Sequence, residues 1–104
     1  WMSNAYKDKV AKADEALGRI MAALPENTTL ILTADHGGQS SNHGTTQRLD
    51  MSIPWIIVGP RIRPDYALTT AVSTMDTAAT TGFILDLTLP ADVTGKPVLE
   101  AFAR

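Results

Sequence analysis

The sequence predicts an α/β fold built on a mostly parallel sheet. Three observations support this prediction: an amphipathic helical pattern opens the chain, and two continuous apolar runs follow it at residues 30–34 and 53–58. Apolar runs without polar alternation are typical of strands covered on both faces, as in parallel sheets. We therefore expect residues 30–34 to form a central strand, with residues 53–58 beside or near it.

The beginning of the chain has the pattern of one long amphipathic helix. Ser3 is a favourable N-cap residue, and Pro25 and Asn27 are stop signals just after Leu24. Apolar side chains recur at spacings of three and four residues, which puts them on one stripe. The stripe consists of Tyr6, Val10, Ala13, Leu17, Ile20 and Leu24. We expect a surface helix whose stripe packs on a sheet.

The remaining elements are shorter. Residues 35–52 are rich in Gly, Ser, Thr and Asn, which predicts a long loop, and such loops within compact domains are usually functional. Ser73 or Thr74 can cap a second helix over residues 75–87. Its expected apolar side includes Ala78, Ala79, Gly82, Phe83 and Leu85. Residues 98–102 predict a short terminal helix or turn that docks Leu99 and Phe102.

Composition excludes several classes of protein. The chain has 104 residues, which favours a single domain, and its 44% hydrophobic share is typical of a folded chain. A net charge of −2 and a pI near 5.5 do not favour binding to a nucleic-acid polymer or to anionic lipid, both of which are negatively charged. The absence of cysteine excludes disulfides and thiolate metal sites. The apolar runs are only strand-length, so we expect no membrane span.

The first residues suggest a piece of a longer polypeptide. The chain opens at Trp1 with neither an initiator Met nor a signal-peptide start, and the helical pattern begins within three residues. We therefore expect an incomplete domain that carries part of an active site. Apolar surface left open in such a piece would favour an oligomer or a swapped dimer.

The most informative motif lies where the first apolar run ends. Asp35 and His36 are adjacent there, two glycines follow, and His43 comes seven residues after His36. The chain contains no other histidine. One carboxylate oxygen and two imidazole nitrogens are donors typical of divalent-metal sites, and Asp35, His36 and His43 are therefore candidate metal ligands. The alternative is that Asp35 caps a turn and His36 is an exposed loop residue.

Several segments in order resemble the C-terminal part of the alkaline phosphatase superfamily, with the type I phosphodiesterase and nucleotide pyrophosphatase group as the nearest branch. The likeness covers most of the chain. The segments that carry it are Thr33-Ala34-Asp35-His36-Gly37-Gly38, His43-Gly44, the strand and turn at residues 53–60, the helix at residues 72–78, and Gly95-Lys96-Pro97. The resemblance implies that residues 1–104 are the C-terminal part of a metal-dependent phosphodiesterase or phosphatase-like domain. The implied architecture is a three-layer sandwich with a mostly parallel central sheet.

The resemblance also implies functional roles. The family holds two divalent metal ions, usually zinc, with manganese as an alternative. Asp35 and His36 match the pair that holds one ion, and His43 matches a ligand of the other. The full-length protein would then be a hydrolase that cleaves small phosphate mono- or diesters. An extracytoplasmic or periplasmic location is also implied. The family's Ser or Thr nucleophile lies upstream and has no match here, so the chain alone is expected to be inactive.

Other functions fit the same motifs. A sulfatase carries a similar Asp-His-Gly turn but uses calcium, to which a histidine beside the carboxylate is less suited than to zinc or manganese. A phosphoglycerate mutase-like enzyme carries a similar Thr-Ala-Asp-His-Gly turn, and phosphonate hydrolases and phosphoethanolamine transferases remain open. A further alternative, from a different class of protein, is a non-catalytic α/β module.

Overall fold

The computed structural model describes residues 1–103 as two compact units. The first unit comprises Trp1–Thr28 and Ala34–Pro54, and the second comprises Thr29–Thr33 with the chain from Trp55 onward. The elements in chain order are helix α1 (Asn4–Ala23), strand β1 (Leu30–Thr33), helix α2 (Arg48–Met51), strand β2 (Trp55–Val58), helix α3 (Thr74–Ile84) and a 3₁₀ turn (Leu99–Ala101). Within the described residues, no helix is long and apolar enough to cross a membrane.

Helix α1 has the predicted bounds but not the predicted burial. Ser3 is the N-cap, its Oγ accepts a hydrogen bond from the Tyr6 N–H at 3.2 Å, and Leu24 is the C-cap. However, none of the helix residues is buried, and Val10 and Ile20 are 52% and 53% exposed. The expected burial of the stripe is therefore not shown in this chain. The rest of its unit is mainly a polar loop.

The two apolar runs pair with each other as predicted, but in an antiparallel sheet. Leu30 lies opposite Val58, and Thr33 lies opposite Trp55. The described residues form only this two-stranded sheet, so a mostly parallel, three-layer architecture is not shown. Both strands are edge strands. Side chains on one face, including Ile56 at 51% exposure, remain in solvent, in contrast to the expected burial on both faces.

Helix α3 begins at the predicted cap and ends three residues earlier than predicted. The N-cap is Ser73, whose backbone N–H donates to Asp76 Oδ2 at 2.8 Å in a reciprocal capping box. The helix ends because Asp86 adopts a left-handed conformation with φ of 53°. The Leu87 N–H then donates to the Gly82 carbonyl at 2.9 Å, which closes the helix as a Schellman-type turn.

The buried residues of the second unit differ partly from the expected apolar side. Ala79 and Gly82 are buried as predicted, but Phe83 and Leu85 are 46% and 60% exposed, and Ala78 is also exposed. The predicted terminal turn is present as the 3₁₀ turn. It packs through Val98 and Ala101, whereas Leu99 is 57% exposed. The Phe102 ring lies edge-on to Phe83 at 5.0 Å between centroids.

Thr80 is a polar residue at the centre of this packing and has no exposed surface. Its Oγ1 donates to the Asp76 carbonyl at 2.7 Å and accepts from the Val98 N–H at 3.0 Å. Replacing Thr80 with Val should leave the Val98 N–H buried without a partner, which lowers the free energy of unfolding by about 1–3 kcal/mol. Urea unfolding measures this loss.

Thr81→Val is the matched control for that substitution. Thr81 makes the same bond to a helix carbonyl, that of Thr77 at 2.9 Å, but it is exposed. Its replacement should change the free energy of unfolding by less than about 0.5 kcal/mol. Equal effects of the two substitutions would contradict the role given to the buried hydroxyl.

The Glu100 carboxylate ties the terminal turn to the loop at residues 66–70. It accepts hydrogen bonds from the Tyr66 hydroxyl at 2.8 Å, from both the N–H and the hydroxyl of Thr69 at 2.8 and 2.6 Å, and from the Thr70 N–H at 3.0 Å. These bonds, those from Thr69 above all, hold the pKa of Glu100 far below its ordinary value because they favour the charged form.

This lowered pKa makes a pH-dependent contribution to stability. A carboxylate whose pKa is lower in the folded than in the unfolded state stabilises the fold above the unfolded pKa and loses that contribution as the pH falls. Glu100→Gln should therefore lower Tm at pH 7, and the difference from wild type should shrink as the pH falls below about 4.5. Melting curves of both proteins between pH 7 and 3 test this. Glu26→Gln makes the same chemical change at an exposed position and is the matched control.

Candidate metal centre

The candidate ligands lie in the part of the first unit that follows β1. Residues 35–52 were expected to form an irregular loop, but they contain one turn of helix, α2, and a bridge between Gln39 and Asn42. The Gly37 N–H donates to the Asp50 carbonyl at 2.8 Å and ties the Asp-His-Gly-Gly turn to α2. The loop is therefore folded back on itself around the two histidines.

The hydrogen bonds of His36 define which of its nitrogens is free. Its Nδ1 lies 2.7 Å from the Gly37 carbonyl oxygen. Because a carbonyl only accepts, Nδ1 carries the proton and donates this bond. The lone pair of the neutral ring is then on Nε2, which lies 3.5 Å from Asp35 Oδ2. The other Asp35 oxygen, Oδ1, accepts from the His36 backbone N–H at 2.9 Å.

The spacing of Asp35 Oδ2 and His36 Nε2 suits a shared cation. At 3.5 Å the two atoms are beyond the range of about 2.7–3.2 Å typical of an N–H···O hydrogen bond. Two ligand atoms bound at about 2.0–2.2 Å to one tetrahedral ion are separated by roughly 3.3–3.6 Å. The Asp35 side chain is 86% exposed and that of His36 is 39% exposed, so both are accessible from solvent.

The two imidazole rings are stacked. Their centroids are 4.0 Å apart and their planes differ by 17°. A histidine lone pair lies in the plane of its ring, so nitrogens of two nearly parallel stacked rings do not converge on one ion. His36 and His43 in this arrangement can serve two separate ions, but not the same one.

The structure thus brings the three predicted residues together without forming a closed site. Asp35 faces His36, and His36 stacks on His43. Among residues 1–103, however, no group of three or more His, Cys, Asp or Glu side chains is arranged to hold a metal ion. The donor types fit a divalent cation, but this chain offers one pair and one single donor, which falls short of the three protein ligands of a typical catalytic site.

Asp50 is a residue of this region that the sequence did not single out. It is only 3% exposed, and its Oδ2 accepts from the Thr45 hydroxyl at 2.6 Å and the Thr45 N–H at 2.9 Å. These two bonds are the main reason why the pKa of Asp50 is lowered, and the charge of nearby His43 also lowers it. A carboxylate in a loop of mixed polar residues carries no periodic signal, which is why the sequence alone did not reveal it.

An open cleft of about 670 Å³ lies beside His36. Trp1, Tyr6 and Val10 supply aromatic and aliphatic surface on its wall, and Leu49 lines it as well. The Trp1 ring lies 6.2 Å from Tyr6, 6.4 Å from His36 and 6.0 Å from His43, between centroids. Gly38 lies under the indole, where a Cβ would come within 2.2 Å of the ring. A small molecule in this cleft would reach His36.

Comparison with known proteins places the chain in a family. The pattern of the Metalloenzyme superfamily matches residues 2–87, which include all three candidate ligands and Asp50. The chain is 30% identical over 95 residues to the phosphopentomutase of Clostridium botulinum (strain Alaska E43 / Type E3), with 91% of this chain and 24% of that protein covered. It is 34% identical over 85 residues to the phosphopentomutase of Clostridioides difficile (strain 630), with 82% and 22% covered.

A relative with a different name is similar to the same degree. Arylsulfatase K of Xenopus laevis is 32% identical over 109 residues, with 92% of this chain and 20% of that protein covered. The chain therefore spans between a fifth and a quarter of the length of these relatives. No solved structure matches the chain. The match over residues 2–87 shows that the chain belongs to the Metalloenzyme superfamily, which is alkaline phosphatase-like.

Proposed function

We propose that the protein is a metal-dependent enzyme that acts on small phosphate esters, and that Asp35, His36 and His43 contribute ligands to two divalent ions. The observation that carries the proposal is the approach of Asp35 Oδ2 and His36 Nε2 to 3.5 Å. In the tautomer with the proton on Nδ1, Nε2 carries the lone pair of the ring. A cation bound to both would offset the repulsion between their lone pairs.

The stacking of the histidines supports a division of the ligands between two ions. The ring centroids are 4.0 Å apart, which is similar to the separation of about 3.5–4 Å between the ions of two-metal sites. We assign Asp35 and His36 to one ion and His43 to the other. Nitrogen and carboxylate donors suit zinc, with manganese as the alternative. Such ions, when bound, activate a hydroxyl nucleophile and stabilise negative charge on phosphoryl oxygens.

This chain's own residues would prepare the site for a small ester. The proton on His36 Nδ1 is held by the Gly37 carbonyl, which keeps Nε2 available as a ligand. The exposure of Asp35 leaves room for water or substrate beside the ion. The adjacent cleft of about 670 Å³ is large enough for a small phosphorylated molecule, and its apolar wall would contact the organic part.

The class of reaction is the finer part of the proposal. Similarity to proteins named phosphopentomutase supports phosphoryl transfer, and hydrolysis of phosphate mono- or diesters is the simplest form of it, with water as acceptor. These relatives give no support to the nucleotide pyrophosphatase subtype that the motifs suggested. Similarity to a protein named arylsulfatase K favours a second candidate, the cleavage of sulfate esters.

These candidates are separated by an assay with 4-nitrophenyl esters, which share one leaving group and differ in whether they are phosphate monoesters, phosphate diesters or sulfate esters. The longest natural form of the protein that contains this chain is stripped of metal and reloaded with zinc or manganese. It is then given 4-nitrophenyl phosphate, bis(4-nitrophenyl) phosphate or 4-nitrophenyl sulfate, and movement of phosphate within a pentose phosphate is assayed in parallel. We expect metal-dependent turnover of a phosphate compound.

Two other outcomes would contradict the proposed action on phosphate esters. Turnover of the sulfate alone would establish the second candidate. Absence of any turnover, together with metal binding that is unchanged in a His36→Ala variant, would favour a non-catalytic module.

A further inference from the structure

One residue of α2 is hydrogen-bonded to the turns that carry both histidines. The main-chain carbonyl of Asp50 accepts from the Gly37 N–H, next to His36, at 2.8 Å. Its carboxylate accepts from the backbone and hydroxyl of Thr45, two residues after His43, at 2.9 and 2.6 Å. Asp50 thereby joins the turn after His36 to the turn after His43.

Asp50 is buried, and a weaker interaction with the Gln39 side chain adds to the bonds from Thr45. The Asp50 side chain is 97% inaccessible, and among residues 1–103 its Oδ1 has no hydrogen-bond partner. A buried carboxylate oxygen without a partner destabilises a fold. The two bonds from Thr45 favour the charged form of the carboxylate, which is why the pKa of Asp50 is lowered. A charged carboxylate is a stronger acceptor for these two bonds than an amide, so the charge itself contributes to the hold on Thr45.

The chain between His43 and Thr45 explains how the carboxylate reaches the histidine turn. Gly44, directly after His43, has a φ of 94°, a conformation that other residues rarely adopt. The two bonds from Thr45 to Asp50 hold the chain in place just after this glycine.

We propose that Asp50 is a positioning residue that holds His43 stacked against His36 and so sets the spacing of the two metal half-sites. The part of this inference that concerns metal rests on the proposed function, whereas the part that concerns the stack does not. Because Asp50 acts through Thr45, removal of the Thr45 hydroxyl should loosen His43 and leave the Asp35–His36 pair intact.

The test uses variants that differ by single atoms. Thr45→Val removes the hydroxyl bond at nearly constant shape, Thr45→Ser keeps the hydroxyl, and Thr46→Val makes the same chemical change at the adjacent exposed position. Asp50→Asn removes the charge. Asp14→Asn is its control at an exposed position of α1. Since the chain has two histidines, NMR resolves the ring signals of each.

Two readouts are recorded for each variant. In metal-free protein, the ring-current shifts of the two imidazoles report the stack. During zinc titration, the shift of each ring reports its own ion. We expect Thr45→Val and Asp50→Asn to lose the ring-current shifts and to weaken zinc binding at His43 by about 10–100-fold, the usual effect of losing an outer partner of a ligand. His36 should still respond, and the Thr45→Ser, Thr46→Val and Asp14→Asn variants should resemble wild type.

The outcomes distinguish this inference from the proposed function. If the rings of the wild-type protein are stacked but their signals do not change on addition of zinc, the proposed function is contradicted. The positioning role of Asp50 is then decided by the ring-current shifts of the metal-free variants. Thr45→Val and Asp50→Asn proteins that keep the stack and the zinc response of His43 would overturn the inference. An equal loss of zinc response at His36 and His43 would also overturn the inference, because it would indicate that the substitution disturbs the whole loop. If Asp50→Asn does not fold, the comparison of Thr45→Val with Thr45→Ser decides.

Discussion

Replacing His36 with Ala is expected to remove one metal ion and to lower metal-dependent turnover by more than about 100-fold. Loss of an outer partner of a metal ligand usually lowers affinity or activity by about 10–100-fold, so loss of the ligand itself should exceed that range. Asp35→Ala should act on the same ion with a similar effect. The fold should survive both changes, because the two side chains are 39% and 86% exposed and lie in a loop.

Metal content by mass spectrometry, turnover and Tm together test this prediction. His43→Ala should remove the other ion and leave the one held by Asp35 and His36. Lys12→Ala, a change at an exposed position on α1, should leave metal content and turnover unchanged. Full metal occupancy and turnover in both the Asp35→Ala and the His36→Ala variant would refute the ligand assignment.

Gly37→Ala is expected to have the largest effect on the folding of the site. A Cβ at this position would lie 2.1 Å from the Leu49 carbonyl oxygen and 2.6 Å from that of Ser52. Both atoms belong to the backbone, so no side-chain rotation can relieve the contact. Helix α2 would have to move away from the turn that carries His36, and the Gly37–Asp50 hydrogen bond would be lost. We expect the free energy of unfolding to fall by more than about 3 kcal/mol, beyond the usual range for point substitutions.

Gly18→Ala is the matched control for this change. Nothing lies within 4 Å of a Cβ at Gly18, which is in the interior of α1. Alanine there should stabilise the chain by about 0.5–1 kcal/mol, because glycine is a poor helix former. Urea unfolding measures both variants, and zinc binding shows whether His36 is displaced. A Gly37→Ala protein as stable as wild type would disprove the close approach of α2 to the turn.

Local elements were predictable from the sequence because their signals are local. The cap at Ser3 and the spacing of the apolar residues place α1 within one residue of its observed end. The capping box of Ser73 and Asp76 likewise marks the start of α3. The end of α3 was not predictable, since it depends on a left-handed Asp86, a residue type that tolerates this conformation without requiring it.

The arrangement of the strands was not predictable in the same way. Continuous apolar runs indicate that strands form and suggest burial on both faces, but they do not determine the direction of pairing. Here the two runs pair with each other, and one face of the resulting sheet stays open. The stripe of α1 is a similar case, because periodicity shows which residues share a face and not what covers them.

The sequence is sufficient to propose candidate ligands but not their geometry. The adjacency of Asp35 and His36 and the position of His43 select three candidates, and their assignment as ligands stays a prediction. The four residues of α2 are too few to show helical periodicity, so neither the turn nor the buried Asp50 within it had a signal. Thr45 is equally inconspicuous in a loop rich in hydroxyl residues.

The most direct test of the metal assignment is a crystal structure of the protein grown with zinc, with diffraction data collected at the zinc absorption edge. We predict one anomalous peak within about 2.0–2.2 Å of both Asp35 Oδ2 and His36 Nε2, and a second peak on a ring nitrogen of His43. Zinc bound elsewhere, with no anomalous density at Asp35, His36 or His43, would contradict the account.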